Sequence, residues 1–134
     1  MKINYVALYG IALAAFVAID GIWLGLIAKN LYAKELKSLL TTDVKWAGAV
    51  LFYILFLGFV IFFVLQPALQ GGSLQTAITR GALFGLATYM TYDLTNYATI
   101  KGFPLKIVVI DMLWGTFLTA SISAVSYLAY TKFF

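Results

Sequence analysis

Four stretches of this chain, residues 3–28, 46–69, 81–100 and 105–130, are too long and too apolar for water to be their main solvent. Each reaches the roughly 20 residues that a helix needs to cross about 30 Å of hydrocarbon. An open sheet cannot satisfy its backbone groups in lipid, so all four are expected to be helices. The section Ala47–Leu65 carries no charge, and Gln66-Pro67 is expected to end its helix, because proline lacks an N–H and disfavours helix in the residue before it. The expected fold class is all-α: a polytopic membrane protein with four transmembrane helices in an antiparallel bundle, making one domain over residues 1–134. With 63% hydrophobic and only 10% charged residues, the chain has no room for a separate soluble catalytic domain.

The first connection, Lys29 to Lys45, is longer than a turn requires. Leu31, Leu36, Leu39 and Leu40 can share one helical face while Lys34, Glu35 and Lys37 take the other, which predicts a short amphipathic helix on the membrane surface between the first and second spans. Basic residues set the expected orientation. Lys29, Lys34, Lys37, Lys45, Lys101 and Lys106 lie in the first and third loops, whereas the opposite side holds only Lys2, Arg80 and Lys132. The positive-inside rule then places those two loops in the cytoplasm and both termini outside, in a multi-pass membrane protein. A cleavable signal peptide is not expected, because the first segment is long enough to span and Asp20 interrupts it.

A net charge of +4 suits contact with lipid phosphates, since the basic residues sit at segment ends; membrane lipids are the expected partners. Nucleic acid is not, because binding it needs a basic face on a soluble fold. The chain has no Cys and no His, which removes disulfides, thiolate nucleophiles, Cys-ligated metals and the commonest general base. No metal site and no cofactor is expected. Carboxylate, lysine, arginine, tyrosine and hydroxyl chemistry remains.

Three carboxylates stand out within the apolar segments. Asp20 precedes Lys29 by nine residues, Asp93 precedes Lys101 by eight, and Asp111 follows Lys106 by five. At 1.5 Å per residue these offsets are about 13, 12 and 8 Å from one side of an antiparallel bundle, so the three acids are expected to form one layer. Each costs roughly 2.5–3.5 kcal/mol in a membrane on insertion scales, and such groups usually face a bundle interior or a wet cavity. Tyr89, Asp93, Asn96 and Tyr97 share a helical face, while Trp23 and Trp114 each follow an acid by three residues. Asp20, Asp93, Asp111, Asn96, Tyr89, Trp23 and Trp114 are therefore the candidate ligand- or proton-binding residues; no catalytic residue is assigned. In the bland alternative, the indoles belong to an interfacial belt and the acids pair with lysines such as Lys29 or Lys106.

Two further patterns bear on packing. Gly21 with Gly25, and Gly81 with Gly85, have the small-xxx-small spacing that lets helices approach, within the bundle or across a homodimer. Ala7-Leu-Tyr-Gly10-Ile-Ala12 also echoes Ala82-Leu-Phe-Gly85-Leu-Ala87, as two related hairpins would. Arg80, about 20 Å from Asp93 along its helix, is expected to anchor a lipid phosphate and not to pair with the acids.

Several of these residues fall in blocks that resemble a known family. Asp20-Gly-Ile-Trp23-Leu-Gly25, Leu51-Phe-Tyr53, Gln66-Pro67-Ala68-Leu69, Gly81-Ala-Leu-Phe-Gly85, Thr91-Tyr-Asp-Leu-Thr-Asn96 and Asp111-Met-Leu-Trp-Gly-Thr116 are similar to the bacterial membrane family termed domain of unknown function (DUF) 2177. The blocks extend over nearly the whole chain. Phe103, beside Pro104, departs from the Trp expected there. The resemblance implies an integral membrane protein and carries no assigned activity.

Three functions fit these features. The acidic layer could bind or transport a proton, a cation or another small ligand. The chain could be a helper subunit packed against another membrane protein, its acids serving as interhelical hydrogen-bonding groups. It could also bind or modify lipid at the inner leaflet with two carboxylates dividing acid and base roles, although no nucleophile or metal motif supports an enzyme.

Overall fold

The computed structural model describes residues 2–134. Its helices are α1 (Tyr5–Ile27), α2 (Lys29–Leu36), α3 (Trp46–Gly71), α4 (Leu74–Thr99) and α5 (Leu105–Phe133), and no strand occurs among the described residues. By length and composition three of them, α1, α3 and α5, are able to cross a membrane. Helix α4 is as long as α3 but more polar. Its threonines absorb much of that polarity: Thr88, Thr91 and Thr99 donate to the Phe84, Ala87 and Thr95 carbonyls one turn back. A hydroxyl satisfied within its own helix does not need water.

Local chemistry sets the helix ends. The Asn4 side chain caps α1 by accepting the Ala7 N–H at 3.1 Å, and the Tyr130 hydroxyl accepts the Asn4 N–H at 2.7 Å. Ser73 caps α4 in the same way through the Thr76 N–H. Helix α4 thus starts at Leu74, seven residues before the expected boundary at Gly81, because a good cap rather than the onset of high hydropathy marks its first turn.

Pro67 does not end α3, contrary to expectation. The helix widens into a π-helical turn at Ile61–Leu65, in which the Gln66 N–H reaches the Ile61 carbonyl, and then continues to Gly71. In an α-helix the missing Pro67 N–H would have served the Phe63 carbonyl four residues back. That carbonyl instead accepts from the Arg80 guanidinium at 3.2 Å. The true stop is Gly72, whose left-handed φ of +63° lets Ser73 N–H return to the Ala68 carbonyl.

The most extensive interface joins α4 and α5. A Cβ on Gly81 would lie 2.8 Å from the Thr119 carbonyl oxygen, one on Gly85 would collide with the Gly115 carbonyl, and one on Gly115 would enter the Tyr89 ring. These glycines bring the two backbones together. Gly10, Gly21 and Gly25 meet nothing within 4 Å, so the two small-residue pairs differ in use, and Gly10 and Gly85 pack differently within the echoed segments. The main core joins Leu8, Ala12 and Phe16 of α1 to Leu57, Val60 and Val64 of α3 and Leu118 and Ile122 of α5. Phe59, Phe62, Leu83, Leu113 and Phe117 remain exposed on the outside, as suits side chains whose solvent is lipid.

The connection after α1 contains the expected short helix, but its apolar residues divide. Leu36 is buried against Phe103, Ile107 and Val108, with Leu31 and Tyr32 beside them, whereas Leu39 and Leu40 lie past the end of α2 and stay exposed. Phe103 is therefore a buried seat for α2. A Glu35–Lys106 ion pair at 3.6 Å closes the rim.

The Pro67–Phe63–Arg80 arrangement is testable by a double-mutant cycle. Arg80→Met is expected to cost about 1–3 kcal/mol by leaving the Phe63 carbonyl unpartnered, and markedly less when Pro67→Ala supplies an N–H. Unfolding of the detergent-solubilised protein reads out both values; equal costs in the two backgrounds would show that Arg80 acts otherwise.

Candidate functional site

Asp20 lies on α1 one turn before a second π-helical stretch, Trp23–Ile27, in which the Ala28 N–H reaches back to the Trp23 carbonyl at 2.7 Å. Wide turns of this kind relax the strict α-helical register and are frequent at functional sites. Asp20 is 6% exposed, yet both carboxylate oxygens are satisfied. The Tyr53 hydroxyl of α3 donates to one at 2.6 Å, and the Trp114 indole N–H of α5 donates to the other at 3.2 Å. One carboxylate thereby joins three helices.

Asp111 on α5 has its own donor. The Tyr32 hydroxyl of α2 bonds Asp111 Oδ1 at 2.6 Å, and the Trp23 indole N–H donates to the Tyr32 oxygen at 3.3 Å. Burial pushes the Tyr32 phenol above its ordinary range, with the hydrogen bond to Asp111 and its negative charge adding to the effect. Tyr32 therefore remains a donor at neutral pH. The Trp23 and Trp114 rings stack between these two groups, with centroids 4.4 Å apart and an interplanar angle of 10°.

The sequence spacing pairs each indole with the acid three residues before it on the same helix. Tertiary structure exchanges the partners: Trp114 bonds Asp20, and Trp23 reaches Asp111 through Tyr32. Neither indole N–H faces a membrane boundary alone. None of the three acids is ion-paired with a lysine; the ion pair found among the described residues is Glu35–Lys106.

Asp93 occupies a different setting. It is fully buried on α4, and among the described residues neither oxygen receives an N–H or hydroxyl donor; the group it faces is the Asp111 carboxyl, which can pair with it only through a shared proton. Burying a carboxylate without such a donor is costly, which makes Asp93 the least satisfied of the three acids. Among the described residues, no three His, Cys, Asp or Glu side chains converge as a metal-binding group.

A cavity of about 400 Å³ opens among these groups. Its wall includes Asp20, Trp23, Lys29, Tyr32, Tyr89, Asp111 and Trp114, with Leu36 and Leu40 toward the α2 end. A second cavity of about 310 Å³ is lined by Phe52, Thr88, Tyr89, Tyr92 and Asp111. Five of the seven residues singled out from sequence therefore line the first cavity: Asp20, Trp23, Tyr89, Asp111 and Trp114. Asp93 lies behind its wall, and Asn96, half-buried, does not line it. Sequence reasoning missed Tyr32, Tyr53 and Tyr92. For Tyr53 a signal existed, as a phenol within a charge-free span requires a partner.

Long apolar helices with an acid-, tyrosine- and indole-lined interior define a membrane protein with transmembrane helices. The chain belongs to the uncharacterised family described as Predicted membrane protein (DUF2177), whose model matches residues 5–128. The family expected from the sequence blocks is thus the one found. No curated protein and no solved structure matches the chain.

The bridge at Asp20 makes a clear energetic forecast. Tyr53→Phe and Trp114→Phe each remove one donor from a buried carboxylate, and each is expected to lower stability by about 1–3 kcal/mol. In an Asp20→Leu background both losses should shrink, because no acceptor remains to be left unsatisfied. Additive losses in thermal unfolding would refute the bridge.

Proposed function

We propose that this protein spans the cytoplasmic membrane of a bacterium with four antiparallel helices and uses the cavity beside Asp20 and Asp111 to bind a small organic cation. The topology reading is supported by the back-bonded threonines that make α4 compatible with lipid, and by contacts at opposite ends of α1 and α5. Tyr130, late in α5, meets Asn4 before α1, whereas Asp111, early in α5, meets Tyr32 beyond α1. Ser73, at the α3–α4 turn, and Lys101, at the α4–α5 turn, would then face opposite sides, with Lys101 in the cytoplasm by its basic neighbourhood. Single cysteines at these positions should react with an impermeant thiol reagent in intact cells at Ser73→Cys and not at Lys101→Cys. Labelling of both from outside would overturn the arrangement.

The observation that carries the binding reading is the cavity wall, where two carboxylates stand beside a stacked indole pair. The wall sets two carboxylates against the single ammonium of Lys29, so its charge favours a cation. Indole and phenol faces attract cations through their quadrupoles, and that attraction strengthens away from water. The volume, about 400 Å³, lies within the range of small-molecule sites.

Ethylammonium titrated into the purified protein should change tryptophan emission saturably, because Trp23 and Trp114 belong to the wall. Asp20→Asn and Asp111→Asn should each weaken binding at least about tenfold by removing a charge from a partly desolvated site. A flat titration, or wild-type affinity in both variants, would overturn cation binding.

A further inference from the structure

The two cavities share the same wall at Tyr89, Tyr92 and Asp111, and they lead in different directions. The first contains Asp20 and Leu24 of α1 and extends to Lys29 and Leu40 toward α2. The second reaches Phe52 on α3 and Thr88 on α4. Phe52 is 47% exposed and Tyr92 56% exposed, so this second cavity has rim residues on the outer surface of the protein. Phe52 lies six residues into α3, about 9 Å from its start at Trp46, inside the charge-free stretch that belongs among acyl chains. A cleft open at that depth meets lipid, not water.

Its chemistry changes along its length. At the inner end is the Asp111 carboxylate; at the outer end stand the Phe52 ring and the Tyr92 ring face. The Thr88 hydroxyl is bonded to its own helix through the Phe84 and Gly85 carbonyls, leaving its methyl group as the less polar surface to offer. A ligand complementary to such a gradient carries a positive head and an alkyl tail.

Resting on the cation-binding reading above, we propose that the ligand is an amphipathic amine that enters sideways from the bilayer. Its ammonium lies at Asp111, and its alkyl chain occupies the cleft beside Phe52, Thr88 and Tyr92. Lateral entry keeps the chain in an apolar medium throughout, so only the head group exchanges solvent, and it does so for carboxylate and aromatic faces. Entry through the first cavity would instead draw the chain past Lys29 and the α2 rim.

The test uses the full chain in phosphatidylcholine nanodiscs and a dodecylamine carrying a photoreactive diazirine at its tail, with the crosslinked positions mapped by mass spectrometry. Labelling is expected at Phe52, Thr88 and Tyr92, reduced about tenfold in Asp111→Asn because the head group loses its counter-charge. Thr88→Trp, which fills the cleft, should reduce that labelling while leaving ethylammonium affinity unchanged; its monodispersity in gel filtration reports folding. As a second variant on the exposed face of α3, Phe52→Trp should do the same. Crosslinks concentrated at Leu36 and Leu40 would overturn lateral entry, as would cleft labelling insensitive to Asp111→Asn, which marks a groove filled by ordinary lipid. In both cases acid-dependent ethylammonium binding would persist if the underlying cation site stands. Loss of that binding in the wild-type protein would remove both readings together.

Discussion

The close approach of α4 and α5 is the contact on which the rest of this structure depends. In lipid there is no hydrophobic drive between helices, so association rests on van der Waals contact and interhelical hydrogen bonds. Gly81, Gly85 and Gly115 remove the side chains that would hold the two backbones apart. The Tyr89 ring settles against Gly115, and Asp93 comes to face Asp111. Tyr89 then stands in the wall of both cavities. A methyl group at Gly115 would displace the Tyr89 ring, and one at Gly81 or Gly85 would push the two backbones apart.

Polar groups in the interior are handled by two different physical devices. Threonine hydroxyls are satisfied within their own helix, which costs no tertiary organisation. Asp20 and Asp111 instead receive donors from other helices, so their satisfaction requires the fold to assemble. Such bonds offset the cost of placing carboxylates at membrane depth and also fix how α1, α2, α3 and α5 meet. Asp93 follows neither pattern: among the described residues it is buried without an N–H or hydroxyl donor, facing Asp111 where α4 and α5 meet.

Much of the framework was legible because lipid imposes simple rules. The charge-free run from Ala47 to Leu65 requires a helix wherever it lies, and an Asp in an apolar span is driven toward the bundle interior or a cavity. Asp20, Asp93 and Asp111 could be singled out for that reason. Pro67 misled, because its effect on α3 depends on a wide turn before it and on Arg80 arriving from another helix. The start of α4 was placed too late, since hydropathy rises at Gly81 while the helix is capped at Ser73. Tyr32 was missed because a phenol in a connecting segment has no meaning until α2 folds back onto α5.

The amino-acid sequence by itself determined that this chain forms long helices suited to lipid, that its acids sit at comparable distances from one set of loops, and that it belongs to its family. Those properties are local: they follow from segment length, apolarity and the rise per residue along one helix. Tertiary structure decided which indole meets which acid, which tyrosines serve as donors, and which acid is left without one. Helix rotation and the depth of helix–helix contact decide these, and both depend on side chains far apart in sequence, such as Gly85 against Gly115 or Tyr53 against Asp20. Spacing along a single helix carries no information about the rotation of its neighbour, so the partner exchange between Trp23 and Trp114 arises only when the helices pack.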